Sequence, residues 1–275
     1  MSVHLLEVKD VRLAFAGVVA LDGVGFQVDE GELYAIIGPN GAGKTSIFNC
    51  LNGVYLPQQG SITLEGQSVL GMKPHRIAGL GIARTFQNIE LFVNLTVLDN
   101  ILLGRHMHIS YGPLRAAIYQ GRAEREEAQH RARAEEIIDF LEIEQFRKSL
   151  VGMLPYGIQK RVELGRALAM DPKLLLLDEP AAGMNLEETE DIARFILDIQ
   201  EELGIAMILV EHDMGLVMDI ADRVMVLDFG RQIAEGTPAV VQRDPEVIRA
   251  YLGEEFETKE LQDAEVHTLG GGGGS

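Results

Sequence analysis

The sequence has 275 residues, a length that allows one large α/β domain with a subdomain, or two small domains. Its 24 basic and 42 acidic residues give a formal net charge of −18, which argues against a general affinity for nucleic acid or anionic lipid. No segment approaches the ~18 continuous apolar residues of a membrane-spanning helix, residues 1–4 do not resemble a secretory signal, and the single cysteine, Cys50, excludes an intrachain disulfide. These features favour a protein of a reducing compartment that binds no nucleic acid.

The first part of the chain alternates short apolar runs with turn residues. Such runs predict strands over residues 5–8, 11–15 and 24–28, with a turn region between the last two. Leu33–Ile37 is apolar throughout, as expected of a strand that is buried on both faces. After Lys44, apolar residues recur at helical spacing and predict a helix.

The middle of the chain has a different pattern. Between residues 96 and 152 nothing favours a strand, and the charged, alanine-rich segment 121–141 carries an apolar stripe of Ile137, Ile138 and Leu141. We therefore predict an all-helical subdomain inserted into an α/β core, followed by a flexible tail whose Gly/Ser end is typical of an artificial linker. The predicted division is a core of about 1–95 and 160–253, a helical subdomain of about 96–159, and a tail of 254–275.

The second half returns to alternating strands and helices. Residues 174–177 predict a buried strand, residues 187–203 an amphipathic helix that ends at Gly204, and Ala206–Val210 the next strand. A hairpin is predicted over residues 223–235. This alternation predicts an α/β fold with a mainly parallel sheet that is covered on both faces, and the hairpin adds an antiparallel β part.

A phosphate-binding loop is predicted between the strand Leu33–Ile37 and the helix that follows it. The pattern G-x-x-x-x-G-K-[ST] is complete there, and its glycines let successive N–H groups and the helix N-terminus point at phosphate oxygens. Lys44 is placed to reach the terminal phosphates of ATP, and the Thr45 hydroxyl to ligate Mg²⁺. A glycine-rich turn without a ligand is the alternative, which the strand, helix, lysine and hydroxyl together disfavour. The candidate residues are Gly38, Pro39, Asn40, Gly41, Ala42, Gly43, Lys44, Thr45 and Ser46.

Two carboxylates follow the apolar run 174–177. Asp178 and Glu179 are expected at the carboxyl edge of the sheet, where ligands of α/β folds bind. Asp178 is a candidate for holding Mg²⁺ through water, and Glu179 is the candidate base for the water that attacks ATP. The alternative is a pair of acids that only caps the next helix.

Three further positions have both a functional and a structural interpretation. His212 follows the strand Ala206–Val210 beside the acid pair, which favours a contact with the γ-phosphate over a structural role. Gln87 is expected where the core meets the helical insert, so its amide can touch both Mg²⁺ and the moving subdomain, although its spacing alone decides little. Phe15 offers an aromatic face suited to stacking on adenine, but without further information a residue of the strand core is the favoured interpretation.

Together these residues resemble the ATP-binding-cassette (ABC) ATPases over residues 5–253. The matching features occur in that family's order and approximate spacing, namely the loop at Gly38, then Gln87, Asp178, Glu179 and His212. The resemblance implies an α/β fold with a P-loop NTPase core and an inserted all-helical subdomain, and it implies that Phe15 is the residue that stacks on adenine. It also implies that ATP and Mg²⁺ are the ligands and that ATP hydrolysis is coupled to transport across a membrane.

The signature segment of that family is altered here. The usual Leu-Ser-Gly-Gly-Gln is replaced by Leu154, Pro155, Tyr156, Gly157, Ile158 and Gln159. The serine hydroxyl that would touch the γ-phosphate of a partner subunit is absent, but Gly157 and the helix N-terminus can still offer backbone N–H groups. Residues 181–185 also read Ala-Ala-Gly-Met-Asn in place of the usual Ser-Ala-Leu-Asp.

These departures are similar to the branched-chain amino acid uptake branch, and specifically to the larger of its two ATP-binding subunits. The similar segments are Leu-Pro-Tyr-Gly, Arg-Thr-Phe-Gln-Asn-Ile-Glu-Leu-Phe and Pro-Ala-Ala-Gly-x-Asn. The resemblance implies a hetero- or homodimer with a second ATPase subunit that binds two integral membrane permease subunits. It also implies a solute-binding protein as an indirect partner, which delivers the solute to the permeases. It also implies a peripheral position on the cytoplasmic face of the inner membrane.

Three alternatives stay open. The chain could serve an ABC transporter for another small solute, such as urea or an amide. It could be a non-transport ABC ATPase that acts on DNA or the ribosome, although it has neither the long coiled coil nor the second cassette of such relatives. It could also be a nucleotide-binding regulator without turnover, an interpretation that Glu179 disfavours.

Overall fold

The structure is a computed structural model that describes residues 4–108 and 122–251. Its strands are β1 (Leu6–Phe15), β2 (Val18–Val28), β3 (Leu33–Ile37), β4 (Gln59–Leu64), β5 (Gln67–Ser68), β6 (Ile82–Arg84), β7 (Leu174–Asp178), β8 (Ala206–Val210), β9 (Arg223–Asp228) and β10 (Arg231–Gly236). Its α-helices are α1 (Lys44–Leu51), α2 (Pro74–Gly79), α3 (Val97–Gly104), α4 (Arg122–Phe140), α5 (Tyr156–Leu168), α6 (Leu186–Leu203), α7 (Met214–Ile220) and α8 (Pro238–Val241). The predicted tail, 254–275, lies outside the described residues.

A six-stranded sheet forms the centre of the fold. Its order is β10-β9-β3-β8-β7-β6, with β10 antiparallel to β9 and every other neighbouring pair parallel. All residues of β3, β7 and β8 are buried, because helices and the second sheet cover both faces. The carboxyl ends of these three strands therefore meet at one edge, which is where the phosphate loop, the acid pair and His212 begin. The predicted α/β fold with a mainly parallel sheet is confirmed.

A second, antiparallel sheet has the order β2-β1-β4-β5, and here the predicted strands were partly wrong. Residues 6–8 and 11–15 belong to one strand, β1, and Leu5 precedes it. The predicted turn region is confirmed at residues 16–17, whereas residues 18–23 form the first half of β2. Val11 pairs with Val24 and Arg12 with Asp22, so Gly23 is the extra residue of a bulge, at φ +74°. The Asp22-Gly23 pair has the composition of a turn, but the positive φ of Gly23 forms a bulge within β2.

The helical subdomain is built where α3, α4 and α5 meet. Ile137, Ile138 and Leu141 are buried, as the apolar stripe predicted. A Cβ atom at Gly165 of α5 would lie 2.9 Å from Leu141 and 3.1 Å from Ile101 of α3, so a glycine allows the three helices to approach. The described residues between 96 and 152 contain one isolated bridge, Thr96 with Leu150, but no strand. Helix α5 extends across the predicted subdomain boundary at residue 159.

Helix α6 closes one face of the central sheet and follows its predicted limits closely. Asn185 and Glu188 form a capping box at its start, and Gly204 ends it in the left-handed conformation at φ +63°. Four of the five residues predicted for its apolar face are buried, whereas Leu203 is 38% exposed in the last turn. Among the described residues, no helix is both long enough and apolar enough to span a membrane.

Candidate nucleotide-binding and catalytic site

The glycines of the phosphate loop are required by its backbone. Gly38 has φ +147° and Gly43 has φ +109°. A Cβ atom at Gly38 would lie 2.0 Å from the Leu227 carbonyl oxygen, and one at Gly43 would lie 2.7 Å from the Ala20 carbonyl oxygen. The loop therefore lies directly against β2 and β9, and only glycine fits at these two positions.

The free N-terminus of α1 and the amine of Lys44 provide the positive potential of the loop. Gly43 is the N-cap of α1, no side chain caps the first turn, and no acid lies in it. First-turn N–H groups of this kind attract anions. The Lys44 side chain is 8% exposed and curls back over the loop, donating to the Gly38 carbonyl and, at 3.0 Å, to the Pro39 carbonyl. Thr45 is exposed and follows Lys44 in the same turn.

Asp178 is connected to α1, the helix that follows the phosphate loop, by an arginine that was not predicted as a site residue. Arg84, at the end of β6, donates to Asp178 Oδ2 at 2.5 Å and to Asn49 Oδ1 at 2.9 Å. Asn49 lies one turn beyond Thr45 on α1, so Arg84 brings the Thr45 face of α1 toward Asp178. Its position in the Arg-Thr-Phe-Gln segment, three residues before Gln87, was the available signal.

Two of the predicted site residues, Gln87 and His212, lie close to the Glu179 carboxylate. Gln87 Nε2 donates to Glu179 Oε2 at 2.6 Å, and His212 Nδ1 lies 3.7 Å from the same oxygen, too far for a hydrogen bond. The Glu179 backbone has φ +46°, an unusual conformation for a residue with a side chain, and its N–H donates to the Val210 carbonyl at 2.8 Å. Strained backbone of this kind occurs preferentially at functional sites.

Phe15 lies at the end of β1 in the antiparallel sheet, apart from the acid pair. Its ring is 45% exposed and meets Tyr55 edge-to-face, with ring centroids 5.0 Å apart. The exposed ring is compatible with stacking on a base, and Tyr55 fixes its orientation. Nothing in the sequence around Tyr55 indicated that it would be the neighbour of Phe15.

The signature segment is placed by the helical subdomain. Pro155 is the N-cap of α5 and provides no side-chain cap, so the first-turn N–H groups beginning at Tyr156 are not capped. Gln159 Nε2 donates to the Leu154 carbonyl at 2.8 Å, and Glu188 of α6 lies against Gly157, where a Cβ atom would meet its carboxyl oxygen at 2.8 Å. Ile158 is half-buried and packs against the hydrophobic cluster that joins the helices to one face of the central sheet.

A buried acid, Glu211, stands next to His212 and was also missed. It is 1% exposed, and its two oxygens accept from the Ala181 N–H at 3.0 Å and from the His212 N–H at 3.1 Å. Burial raises the pKa of Glu211 above its ordinary value, while the two backbone N–H groups and His212 act in the opposite direction.

We expect the raised pKa of Glu211 to make the stability difference between the wild type and Glu211→Gln depend on pH. A folded-state pKa above the unfolded value means that the folded protein binds the proton more strongly, so its stabilising contribution is present at low pH and is lost as pH rises through the folded pKa. The free energy of unfolding of the wild type minus that of Glu211→Gln should therefore fall as pH rises above about 4.3, the ordinary pKa of a glutamate, as measured by urea unfolding. Glu30→Gln, which changes an exposed carboxyl, is the control. A difference that rises with pH would contradict the assignment.

The loop, the acid pair at the sheet edge and the converging polar side chains define a nucleotide-binding P-loop ATPase. The sequence profile of the ABC transporter family matches residues 21–182, and that of the branched-chain amino acid ATP-binding cassette transporters matches residues 231–257. The chain therefore belongs to the ABC transporter ATP-binding proteins, and it is an ATPase whose hydrolysis of ATP is coupled to transport.

Similar proteins align with this chain over nearly its whole length. The BraF high-affinity branched-chain amino acid transport ATP-binding protein of Pseudomonas aeruginosa is 40% identical, over 92% of this chain and 100% of its own length. The corresponding LivG protein of Escherichia coli K12 is 37% identical over the same shares.

Two solved structures extend this likeness to the fold. The ADP conformation of MJ1267, an ATP-binding cassette of an ABC transporter, has a TM-score of 0.80 at 32% identity, over 91% of this chain and 99% of that one. A post-hydrolysis dimer of the cassette MJ0796 with ADP and Pi has a TM-score of 0.70 at 25% identity, over 85% of this chain and 98% of that one.

Proposed function

We propose that this chain powers the import of branched-chain or related amino acids by hydrolysing ATP at the site described above. Lys44, Thr45 and the N–H groups of the loop would bind the terminal phosphates, with Phe15 stacked on the adenine. Glu179 would accept a proton from the attacking water, and His212 would contact the γ-phosphate. The observation that supports these roles best is the convergence of Gln87 and His212 on one oxygen of Glu179.

The side chains at this edge fit a magnesium ion bound together with ATP. Mg²⁺ prefers oxygen ligands and is usually held by one or two carboxylates, phosphate oxygens and water. Asp178, Thr45 and the amide oxygen of Gln87 provide that kind of donor set, and Arg84 keeps Asp178 aligned toward α1. Bound there, the ion would neutralise charge on the phosphates, while Lys44 supplies the second positive charge.

The cycle that we propose requires a second ATPase subunit. ATP on this chain would be completed by the signature helix of the partner, and this chain's Leu154–Gln159 segment would complete the partner's site, so that two nucleotides join the dimer. Hydrolysis removes the γ-phosphate that both subunits hold, and the pair opens. The dimer of the related cassette MJ0796 supports the pairing. The proposed partner is a second copy of this chain or a different ATPase subunit.

Two permease subunits are the proposed membrane partners, and they place the chain at the cytoplasmic face of the inner membrane, working with a solute-binding protein. A groove of ≈ 630 Å³ lies between the core and the helical subdomain. It is lined by core residues that include Val54 and Phe86 and by Arg166 of α5, and both apolar side chains are exposed. A permease segment in this groove would touch both subdomains, which is what transmission of their relative movement requires.

Uptake of candidate solutes into membrane vesicles tests which solute the transporter carries. We expect vesicles that contain the assembled transporter, with ATP on the side of this chain, to accumulate leucine, and to lose uptake with Glu179→Gln in this chain. Uptake of urea or an amide in place of leucine would support the other cargo. ATP hydrolysis with transport of no solute would favour a non-transport ATPase.

The altered signature predicts unequal ATP sites. Because Pro155 and Tyr156 stand where the family has Ser and Gly, the partner's site should lose one hydrogen bond to a charged phosphate, worth about 1.5–3 kcal/mol. Hydrolysis in a two-ATPase transporter should therefore depend more on this chain's Glu179 than on the equivalent acid of the partner. Turnover is measured with each acid changed to Gln in turn. Equal losses would mean that Leu-Pro-Tyr-Gly works as well as the common signature.

A further inference from the structure

One face of the signature helix contacts both chain segments that adjoin Glu179. Tyr156, Lys160 and Glu163 are spaced by four and then three residues on α5, so their side chains lie on the same side of the helix. This face meets the 86–90 segment, which contains Gln87, and the 181–183 turn, which begins two residues after Glu179. The same helix also carries the signature at its first turn.

A buried ion pair of α5, Lys160 with Glu163, contacts the backbone of the 86–90 segment. Lys160 Nζ donates to the carbonyls of Phe86 and Gln87 at 3.0 Å and 2.9 Å, and it lies 3.4 Å from Glu163 Oε2. Glu163 Oε1 accepts from the Phe86 N–H at 3.4 Å. Both side chains are less than 5% exposed, so separating either from its partners would leave an uncompensated buried charge. The backbone of Gln87 is therefore fixed to α5.

The contact with the 181–183 turn is a single hydrogen bond with close packing. The Tyr156 hydroxyl donates to the Ala182 carbonyl at 3.1 Å. A Cβ atom at Gly183, which has φ +78°, would lie 3.8 Å from the Tyr156 ring. On its other side the turn is held by Glu211, which accepts from Ala181 and from the His212 N–H. The two departures from the family pattern, at residues 155–156 and 181–185, thus meet in one contact.

We propose that Tyr156 is a positioning residue that couples this chain's own ATP site to its signature segment. The path runs from His212 through Glu211 to the backbone of Ala181 and Ala182, and from there through the Tyr156 hydroxyl to the first turn of α5. This inference rests on the proposed function, because it takes His212 as the contact to the chain's own γ-phosphate and the signature as the contact to the partner's. ATP in one site would then set the geometry that this chain offers to the other.

The test measures amide hydrogen exchange of the signature segment while a nucleotide analogue occupies only the chain's own ATP site. The purified chain is kept dilute enough to be monomeric by light scattering, and amide hydrogen exchange of residues 154–160 is followed with and without the non-hydrolysable β,γ-imido analogue of ATP. We expect the analogue to slow this exchange in the wild type by about two- to tenfold, the range that one hydrogen bond supplies. In Tyr156→Phe the slowing should vanish, while the affinity for the analogue stays the same.

Three further variants test whether the loss of slowing is specific to the proposed path. Tyr34→Phe removes a hydroxyl that donates to Glu235 at 3.0 Å, remote from the turn, and should keep the full slowing. Glu211→Gln should lose the slowing because an amide cannot accept from both N–H groups, and the double variant with Tyr156→Phe should lose no more than either single one. Slowing retained in Tyr156→Phe, or no slowing in a wild type that binds the analogue, would overturn the coupling alone. Failure of the wild type to bind the analogue would overturn the proposed function and the coupling with it.

Discussion

Lys44→Ala should weaken ATP binding by about 10- to 150-fold, the cost of losing hydrogen bonds from a charged donor to phosphate. The Lys44 amine is nearly buried and donates to the Gly38 and Pro39 carbonyls, so the side chain is already folded over the space that the phosphates would occupy. Alanine removes the largest positive charge of the loop and leaves its backbone geometry, which the glycines determine, unchanged.

A titration with a fluorescent ATP analogue measures the Lys44 effect. Lys9→Ala is the matched control, because Lys9 is an exposed lysine of β1 that pairs with Glu7 at the surface. The control should bind the analogue as the wild type does. Unchanged affinity in Lys44→Ala would overturn the assignment of the loop, whatever happened to turnover.

Glu179→Gln should lower steady-state turnover by about 10²- to 10⁴-fold while ATP binding is retained. Glutamine keeps the shape of the side chain, and its amide oxygen can still accept the hydrogen bond from Gln87 that Glu179 accepts now at 2.6 Å. The variant loses only the ability to take a proton from water. Bound ATP is then not consumed, so an ATP-bound dimer should accumulate.

Phosphate release and light scattering in the presence of ATP together test the Glu179 prediction. Glu190→Gln, which changes an exposed carboxylate of α6, is the control and should behave as the wild type in both measurements. Turnover near the wild-type rate would show that another group activates the water.

The sequence predicted the central sheet better than the second one for a physical reason. Leu33–Ile37 and Ala206–Val210 are buried on both faces, so they are apolar throughout and their ends are marked by the first polar or glycine residue. β1 and β2 alternate between buried and exposed residues and contain bulges, so their limits could not be read from apolar runs. The short strands β4, β5 and β6 were not predicted at all.

Within the site, the sequence indicated the positions of residues where a motif fixes the backbone, and it did not indicate residues whose contacts cross between elements. The loop Gly38–Ser46 and the acid pair adjoin buried strands, and the structure places them at one edge of the sheet, together with His212. Arg84 and Glu211 stand beside predicted residues, but their importance depends on partners 94 and 30 residues away in the chain. Tyr156 was recognised only as a departure from a pattern, because its partner Ala182 has no side-chain signal.

Hydrolysis of ATP at this chain's own site is the step that we propose to drive transport. The direct measurement is phosphate release from MgATP by the assembled transporter, with and without a solute-binding protein loaded with leucine. We predict magnesium-dependent release that the loaded binding protein stimulates, and loss of that stimulation when Glu179→Gln is introduced in this chain alone. Release that is indifferent to the loaded binding protein, or that persists undiminished in the variant, would contradict the account.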